Sequence, residues 1–553
     1  MANTTKPITN LFGPRRGTFR HLAGVRGRNS FGASRAEGLI NASHGGSALR
    51  EPHRLVVEAL MLGAAGCNLA GVLDHWAEAA GEPLSQFIGQ FKAPDYHLDL
   101  EAAYRYLFRR FCEKGGPDAF RVSFDDFLQG LASQKTDLAR YPESTMGSLE
   151  CRAIFREYFV GRGVPAQKSM VITANNGFKS LLCAALASVM TEDHNGVRHP
   201  IGGELLAARG HYHSLVAFPC LFGGDLRVIP DMRAATVARE LAKDTGNRIR
   251  ALALFAVDNP TGRIYDEDEM TELAGVLAAH NKRFPEKPVR VIADDVYAGS
   301  LLCPQTKMPR AFAAMANEGR SMHDCTISIG SMSKTFAFAS SRIGFATSGD
   351  KKLMISISAW MLQTGAYHIP PFLEVAAAAA LAAVPRSWVE DNNKAYRSRL
   401  ASARDHLATL NSRLNCEIKM NDPKGGWYLL LDVPRSALSP NAQLNIQEDE
   451  LHAYLLLYGK MPGKNHCRPN TGVATFPGSI NGISNGVHND PNILTMRLSL
   501  AMSEENLSMA FERIGDAIEQ LNEARPSEIS DVLDMAKHSV EHSEFRLDRL
   551  PDG

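Results

Sequence analysis

Residues 328–346 read "SIGSMSKTFAFASSRIGFA", a stretch with a single lysine, Lys334. Short apolar residues precede Ser331, a pattern that predicts a buried strand ending at this serine. Lys334 follows among hydroxyl groups, and Arg342 is the next basic residue. A desolvated lysine can become a neutral amine that attacks carbonyl groups, and an arginine nearby can pair with a phosphate. The alternative is a surface lysine and a surface arginine in a loop, so the surrounding pattern has to decide.

The chain around this stretch alternates short apolar runs with helical patterns from about residue 165 onward. The runs are "SMVIT", "GELLAARG", "LRVIP", "RALALFAV", "VRVIADD" and "CTISIG". Continuous apolar strands separated by helices predict a parallel sheet that is covered on both faces. Ligands bind beyond the carboxyl ends of the strands in such sheets, so the residues after each run are the candidates for a site.

Polar residues and glycine follow several of these runs. Gly177 follows "SMVIT" where a helix should begin, so it either marks a phosphate-binding helix N-terminus or only makes the turn. Asn259 lies in "DNPTG", a turn signal that also aims its amide into the cleft. Asp294 and Asp295 end a buried strand, either as a helix N-cap or as a pair of which one faces the cleft, and Tyr297 follows them.

Composition excludes several classes of protein. The 553 residues contain 60 Lys+Arg and 60 Asp+Glu, which argues against a general nucleic-acid or membrane-surface binder. Nine cysteines without a CxxC pair suggest neither a disulfide framework nor a zinc site, and they fit a reducing compartment such as the cytoplasm. We expect no transmembrane helix and no secretory signal. The arginines of the first 36 residues fit either a transit peptide or an arm on a partner subunit.

The patterns divide the chain into five parts. We predict an N-terminal arm (residues 1–53), a helical insertion (54–130), a large cofactor-binding domain (131–350), a small C-terminal domain (351–525) and a polar tail (526–553).

Two strands and a helix are expected in the small domain. The strands are "GGWYLLLDV" and "TMRLSLA", and the helix begins at the N-cap Ser503. One face of that helix should be buried: Leu507, Phe511, Ile514, Ile518 and Leu521.

Taken in order, the motifs resemble the fold-type-I pyridoxal-phosphate enzymes of the aspartate aminotransferase superfamily, class I/II. The motifs are "NPTG", "DDVY", "SMSK" with Arg342 behind it, and "RLSLA", and the resemblance covers roughly residues 140–520. It implies an α/β fold with a mostly parallel sheet between helices, a smaller α/β C-terminal domain and pyridoxal 5′-phosphate (PLP) as the cofactor.

The resemblance also implies roles for residues around the cofactor ring. Lys334 matches the lysine that holds PLP as a Schiff base and then shuttles protons. Asp294 matches the carboxylate that pairs with the pyridine nitrogen. Asn259 and Tyr297 match the groups that bond the ring hydroxyl, and Tyr212 in "GHYHSL" matches the stacking aromatic residue.

Further roles concern the phosphate, the substrate and the partner subunit. The phosphate cradle is implied at Gly177, Phe178, Ser331, Ser333 and Arg342. Arg497 matches the arginine that grips the substrate α-carboxylate. Tyr141 in "YPESTMG" resembles the tyrosine that reaches the neighbouring subunit's cofactor, which implies a homodimer with shared active sites.

The activity implied is that of an enzyme acting on an α-amino acid through an external aldimine and a Cα carbanion, first of all an aminotransferase. The rivals are β- or γ-elimination or replacement, as in enzymes that use S-adenosylmethionine, and decarboxylation. A PLP-fold regulator is a further rival, but no recognition helix is evident. The chain departs from the family in the insertion, in "NNGFKS" and in the pair His211 and His213. We expect the insertion to shape a pocket for a bulky second substrate.

Overall fold

The computed structural model describes residues 40–41 and 144–523. Short segments within that span lie outside the description: residues 195–196, 338, 368, 371–372, 375–376, 379–380, 382–385, 439–445, 458–471 and 484–489. The predicted arm, apart from residues 40–41, and the predicted insertion and tail all fall outside the described residues.

The strands are, in chain order, β1 (Ile40–Asn41), β2 (Val171–Asn175), β3 (Thr191–His194), β4 (Val197–Pro200), β5 (Gly203–Ala208), β6 (Gly224–Ile229), β7 (Ile249–Phe255), β8 (Arg290–Asp294), β9 (Ala316–Asn317), β10 (Arg320–Ser321), β11 (Thr326–Ser331), β12 (Ile343–Thr347), β13 (Lys419–Met420), β14 (Tyr428–Pro434), β15 (Val473–Ala474), β16 (Phe476–Pro477) and β17 (Ile493–Ser499). The α-helices are α1 (Leu149–Gly161), α2 (Phe178–Met190), α3 (Phe218–Leu221), α4 (Ala234–Lys243), α5 (Glu267–Arg283), α6 (Lys351–Thr364), α7 (Arg386–Leu414), α8 (Arg435–Leu438), α9 (Glu448–Leu457) and α10 (Glu504–Glu523).

A seven-stranded sheet in the order β2-β12-β11-β8-β7-β5-β6 forms the centre of the molecule. The pairs among β11, β8, β7, β5 and β6 are all parallel, which confirms the mostly parallel sheet. Strand β12 is antiparallel to both neighbours and was not among the predicted strands. It returns beside β11 after a short loop, and Lys334 lies in that loop.

Helices cover both faces of this sheet. On one face, Phe155 of α1 stacks on Phe345 of β12 with ring centroids 4.4 Å apart. On the other face, α2 and α6 pack together over the strands, and Met354 and Met361 of α6 are fully buried in that core. Helix α6 therefore packs in the core of the large sheet. The sequence pattern predicted that the large domain ends at residue 350, just before this helix.

A second, antiparallel sheet has the order β13-β14-β17-β16. Its strands β14 and β17 coincide with "GGWYLLLDV" and "TMRLSLA", as predicted. Helix α10 begins after Ser503, whose hydroxyl accepts a hydrogen bond from the Asn506 amide at 3.1 Å. The predicted apolar face of α10 is buried: Leu507, Phe511, Ile514, Ile518 and Leu521. Within the described part of the chain, no helix has the length and hydropathy needed to span a bilayer.

Candidate active site

The candidate residues meet at the carboxyl edge of the large sheet. Asp294 ends β8, Asn259 follows β7, Gly177 follows β2, and Lys334 follows β11. The second sheet reaches the same place through Arg497 of β17, whose Nη1 lies 3.4 Å from the Oδ1 of Asn259. Residues separated by more than 300 positions in the sequence thus line one cleft between the two sheets.

A small hollow lined by polar groups lies beside Gly177. A Cβ atom placed on Gly177 would lie 3.5 Å from the hydroxyl oxygens of Ser331 and Ser333 and 3.8 Å from Nη2 of Arg342. The Gly177 amide donates to the Arg342 carbonyl at 2.7 Å, so the glycine contributes space rather than a donor. Gly177 is also the N-cap of the 13-residue helix α2, whose first N–H groups point in this direction. Two hydroxyls, a guanidinium and a helix N-terminus suit a phosphate.

The adjacent acids Asp294 and Asp295 point to different surroundings, as the alternation of strand residues predicts. Asp294 accepts a hydrogen bond from the Val296 amide at 2.8 Å. Burial raises the pKa of Asp294 to about 8, although this hydrogen bond and the charge of Lys334 oppose the shift. Asp295 instead faces Arg162, with 3.5 Å between Nη2 and Oδ1. Asp294 is therefore a buried acid that ionises at neutral pH only when a cation lies beside it.

Lys334 lies in a cluster with two tyrosines. Its Nζ is 5.8 Å from the ring centroid of Tyr297, and its amine hydrogen-bonds to the phenol of Tyr428. The hydroxyl of Tyr297 donates to the hydroxyl oxygen of Tyr428 at 3.1 Å. Lys334 is half-buried, whereas both tyrosines are buried. The lysine that the sequence singles out is thus enclosed by aromatic hydroxyls rather than exposed in a loop.

Arg497 is held between two aromatic rings. Its guanidinium carbon lies 4.4 Å from the ring centroid of Tyr428 and 4.5 Å from that of Phe476. The strand register explains this arrangement. Arg497 of β17 pairs with Phe476 of β16 on one side and with Leu430 of β14 on the other. Tyr428 lies two residues before Leu430, so its side chain is a diagonal neighbour of Arg497 on the same face of the sheet. Rings on both faces of the guanidinium leave its N–H edge as the direction from which a carboxylate can approach.

A wall of rings extends from this arginine toward the large sheet. Tyr212 is half-buried, with its centroid 4.4 Å from that of His213 and 6.0 Å from that of Phe178. His213 in turn stacks on Phe476 at 6.3 Å and 7°. The other histidine of the pair, His211, is 3% exposed, and burial lowers its pKa to about 4.

The loop after β16 binds the large domain next to this wall. The carbonyl of Asn481 accepts hydrogen bonds from the amides of Gly210 and His211, both at 3.1 Å. The side-chain amide of Asn481 donates to the His211 carbonyl at 2.8 Å. Asn481 is fully buried, so this contact fixes the loop that presents Phe476 to Arg497.

The structure brings together most of the residues predicted from the sequence. They are Gly177, Phe178, Tyr212, Asn259, Asp294, Tyr297, Ser331, Ser333, Lys334, Arg342 and Arg497. Tyr141 lies outside the described residues. Sequence reasoning missed Tyr428, Phe476 and Asn481. The strand pattern "GGWYLLLDV" already placed Tyr428 on a strand, but its proximity to Lys334 depends on how the two sheets dock.

The sequence profile of the family "Aminotransferase class I and II" matches residues 218–514, more than half of the chain. The chain belongs to this family. Members of the class I and II aminotransferase family use PLP.

Individual relatives are distant in sequence. A bifunctional aspartate aminotransferase and glutamate/aspartate-prephenate aminotransferase from Petunia hybrida is 24% identical over 55% of this chain and 58% of its own length. A probable aspartate/prephenate aminotransferase from Aquifex aeolicus is 23% identical over 74% of this chain and 90% of its own. The match thus spans well under two thirds of the petunia protein and most of the Aquifex protein.

A solved aromatic aminotransferase from Pyrococcus horikoshii superimposes with a TM-score of 0.54 at 21% identity, over 72% of this chain and 91% of that one. This likeness shows that the chain has the aminotransferase fold.

The residues present fit PLP. The hollow beside Gly177 has the donors that a phosphate requires, and a side chain at that position would fill it. The buried Asp294 calls for a cationic partner, which the protonated pyridine nitrogen of PLP would provide. Lys334 lies close enough to Asp294 for its charge to lower the pKa of that acid, and it offers the primary amine.

Proposed function

We propose that this protein is a PLP-dependent aminotransferase that acts on an α-amino acid. The observation that favours this function most is the convergence of Lys334, Asp294 and Arg497 on one cleft from three distant parts of the chain. The relatives from Petunia hybrida and Aquifex aeolicus are named as aspartate and prephenate aminotransferases, and a further relative from Pseudomonas aeruginosa is named as an arginine–pyruvate transaminase. Their names favour amino transfer over the elimination or replacement chemistry that the sequence left open.

Bound PLP supplies an aldehyde for a primary amine and a ring that withdraws electrons from the substrate Cα. Lys334 is the residue that we propose to hold it covalently, because its amine is enclosed in the cleft beside Asp294. With PLP and a substrate bound, Lys334 would be the group in the cleft that takes the substrate Cα proton and returns it.

The polar groups around Lys334 hold the cofactor in one orientation. Ser331, Ser333 and Arg342 bind the phosphate in the hollow that Gly177 leaves open. Asp294 stays ionised by pairing with the ring nitrogen, since burial alone would keep it protonated near neutral pH. Asn259 and Tyr297 would bond the ring hydroxyl.

Further groups complete the cofactor site. Tyr212 would stack on the cofactor ring, and the ring of Phe178 makes an edge-to-face contact with Tyr212, with centroids 6.0 Å apart.

Arg497 binds the substrate α-carboxylate. The stacked rings of Tyr428 and Phe476 fix the plane of the guanidinium, so its N–H edge is presented to the cleft without a search among rotamers. Asn259 lies 3.4 Å from Nη1 and so links the carboxylate site to the cofactor site. Arg497 would thus hold the substrate in one orientation relative to Lys334, as the proton transfer requires.

Several properties of the whole protein are part of the proposal. We propose a homodimer in which Tyr141 reaches the partner's cofactor phosphate, with the five predicted parts of the chain as its domains. The helical insertion then forms a pocket for a bulky second substrate. The described cysteines are free thiols, which supports a reducing compartment such as the cytoplasm.

Single-turnover spectroscopy tests the function. PLP-loaded protein is mixed with each of the common α-amino acids, the cofactor absorbance is followed, and the products are identified by mass. We expect one group of amino acids to convert the cofactor to its amine form with release of the matching keto acid, and a keto acid to reverse the change. Release of a side-chain fragment without a keto acid that retains the substrate skeleton would contradict amino transfer.

A further inference from the structure

Tyr428 has two hydrogen-bond donors directed at one phenol oxygen. One is the hydroxyl of Tyr297 at 3.1 Å, and the other is the amine of Lys334. Both contacts are made inside the protein, because Tyr428 is 5% exposed. A phenol oxygen that accepts two hydrogen bonds in a buried site is arranged to carry negative charge.

Two cations lie against the same residue. The amine of Lys334 is at the hydroxyl end of Tyr428, and the guanidinium of Arg497 lies over its ring face, 4.4 Å from the centroid. The other titratable group in contact, Tyr297, keeps its own proton, because burial and the neighbouring Tyr428 raise its pKa well above the usual range. Burial also raises the pKa of Tyr428, but Lys334, Arg497 and the hydrogen bond from Tyr297 together bring it below its ordinary value.

We propose that Tyr428 is a positioning and proton-holding residue for Lys334, and that its phenolate oxygen takes the proton of the lysine ammonium so that a neutral amine is available in the cleft. This inference rests on the proposed function, in which Lys334 is the base. The transfer is balanced: the ammonium N–H bond breaks, the phenol O–H bond forms, and no electrons are gained or lost. Reversal of the same step recharges the lysine.

The contact with Arg497 couples this transfer to substrate binding. A carboxylate bound at the guanidinium edge offsets part of the positive charge above the Tyr428 ring. The phenolate is then less stabilised, so its affinity for the Lys334 proton rises when a substrate is bound. Substrate binding at Arg497 thus favours the neutral amine of Lys334, which is the proposed base.

The first experiment measures tyrosine ionisation directly. Ultraviolet difference titration of the full-length chain without cofactor should reveal a tyrosine that ionises below the ordinary pKa of about 10. The signal should vanish in Tyr428→Phe and persist in the control Tyr396→Phe, another buried tyrosine of the small-domain core, which stacks on Trp427 instead. Lys334→Met should move it to higher pH. A titration that is the same in Tyr428→Phe and wild type would overturn the proposal, whatever reaction the enzyme catalyses.

The second experiment measures the consequence in the PLP-loaded enzyme. Tyr428→Phe should lower kcat by about 10- to 100-fold, the loss that accompanies removal of one hydrogen bond to a charged group, with a smaller change in KM. The pH at which the rate reaches its plateau should rise, because the phenol oxygen that accepts the proton of Lys334 has been removed. A purely structural role would lower the rate without moving this profile. If wild-type protein transfers no amino group at all, the proposed function fails while the titration still decides the proton position.

Discussion

Substituting Gly177 by alanine tests the phosphate hollow. The added Cβ would lie 3.5 Å from the hydroxyl oxygens of Ser331 and Ser333 and 3.8 Å from Nη2 of Arg342, which is the space that a phosphate oxygen needs to accept their hydrogen bonds. Loss of one hydrogen bond to a charged group costs about 1.5–3 kcal/mol. We therefore expect PLP to bind about 10- to 150-fold more weakly to Gly177→Ala.

The substitution also strains the backbone, and a control separates the two effects. Gly177 has φ 65° and ψ −143°, a region that only glycine adopts readily, so alanine there should cost about 1–3 kcal/mol of folding stability. Gly365, at the C-terminus of α6, has φ 70° and ψ 8°, and among the described residues a methyl group added there would meet no atom beyond its chain neighbours within 4 Å. Gly365→Ala should cost about 1–2 kcal/mol of stability and leave PLP affinity unchanged.

The assay is a titration of cofactor-free protein with PLP, followed by absorbance, in parallel with pyridoxal, which lacks the phosphate. The affinity ratio of PLP to pyridoxal should fall in Gly177→Ala and stay constant in Gly365→Ala. Equal PLP affinities in the two variants would refute the assignment of the hollow to the phosphate.

The remaining predictions concern charge and stability. In cofactor-free protein the folded-state pKa of Asp294, about 8, lies above its unfolded value, so its contribution to stability is present below pH 4 and is lost as the pH rises toward 8. Between pH 5 and 7, the free energy of unfolding measured in urea should therefore fall more steeply for wild type than for Asp294→Asn, by up to about 1.4 kcal/mol per pH unit. Parallel pH dependences of the two proteins would contradict this. Thr173→Val removes a 2.7 Å hydrogen bond to the buried carboxylate of Glu374 and should cost about 1.5–3 kcal/mol, whereas Thr173→Ser should cost less than half of that. Asn481→Asp places an oxygen where the amide donates to the His211 carbonyl, so it should destabilise the protein by about 1–3 kcal/mol more than Asn481→Ala. Equal urea midpoints of unfolding for the two variants would refute the role of this side chain in holding the loop after β16.

Much of the large sheet was predictable because its strands are buried on both faces. Strands such as β8 and β11 read as short apolar runs, and their parallel order brings Asp294 and Lys334 to the same edge. Strand β12 escaped prediction because its small residues, such as Gly344, make a weak apolar signal. A Cβ atom on Gly344 would lie 2.7 Å from the carbonyl carbon of Gly177, so β12 packs closely against the turn before α2, a contact that the sequence does not display.

The parts of the site that depend on docking of the two sheets were not predictable from the sequence. Arg497 was found through a family motif, but its position between Tyr428 and Phe476 follows from the register of β14, β16 and β17. The contact of Tyr428 with Lys334 joins the small sheet to a loop of the large sheet. No local pattern encodes such a contact, since Lys334 and Tyr428 are 94 positions apart in the sequence.

The covalent attachment of PLP to Lys334 is central to the proposed function. Reduction of the PLP-loaded protein with borohydride followed by peptide mass analysis locates the attached lysine directly. We expect a single cofactor mass on the peptide that contains Lys334 and its absence from Lys334→Ala. Attachment to another lysine in wild-type protein, or an unchanged cofactor absorbance in Lys334→Ala, would contradict it.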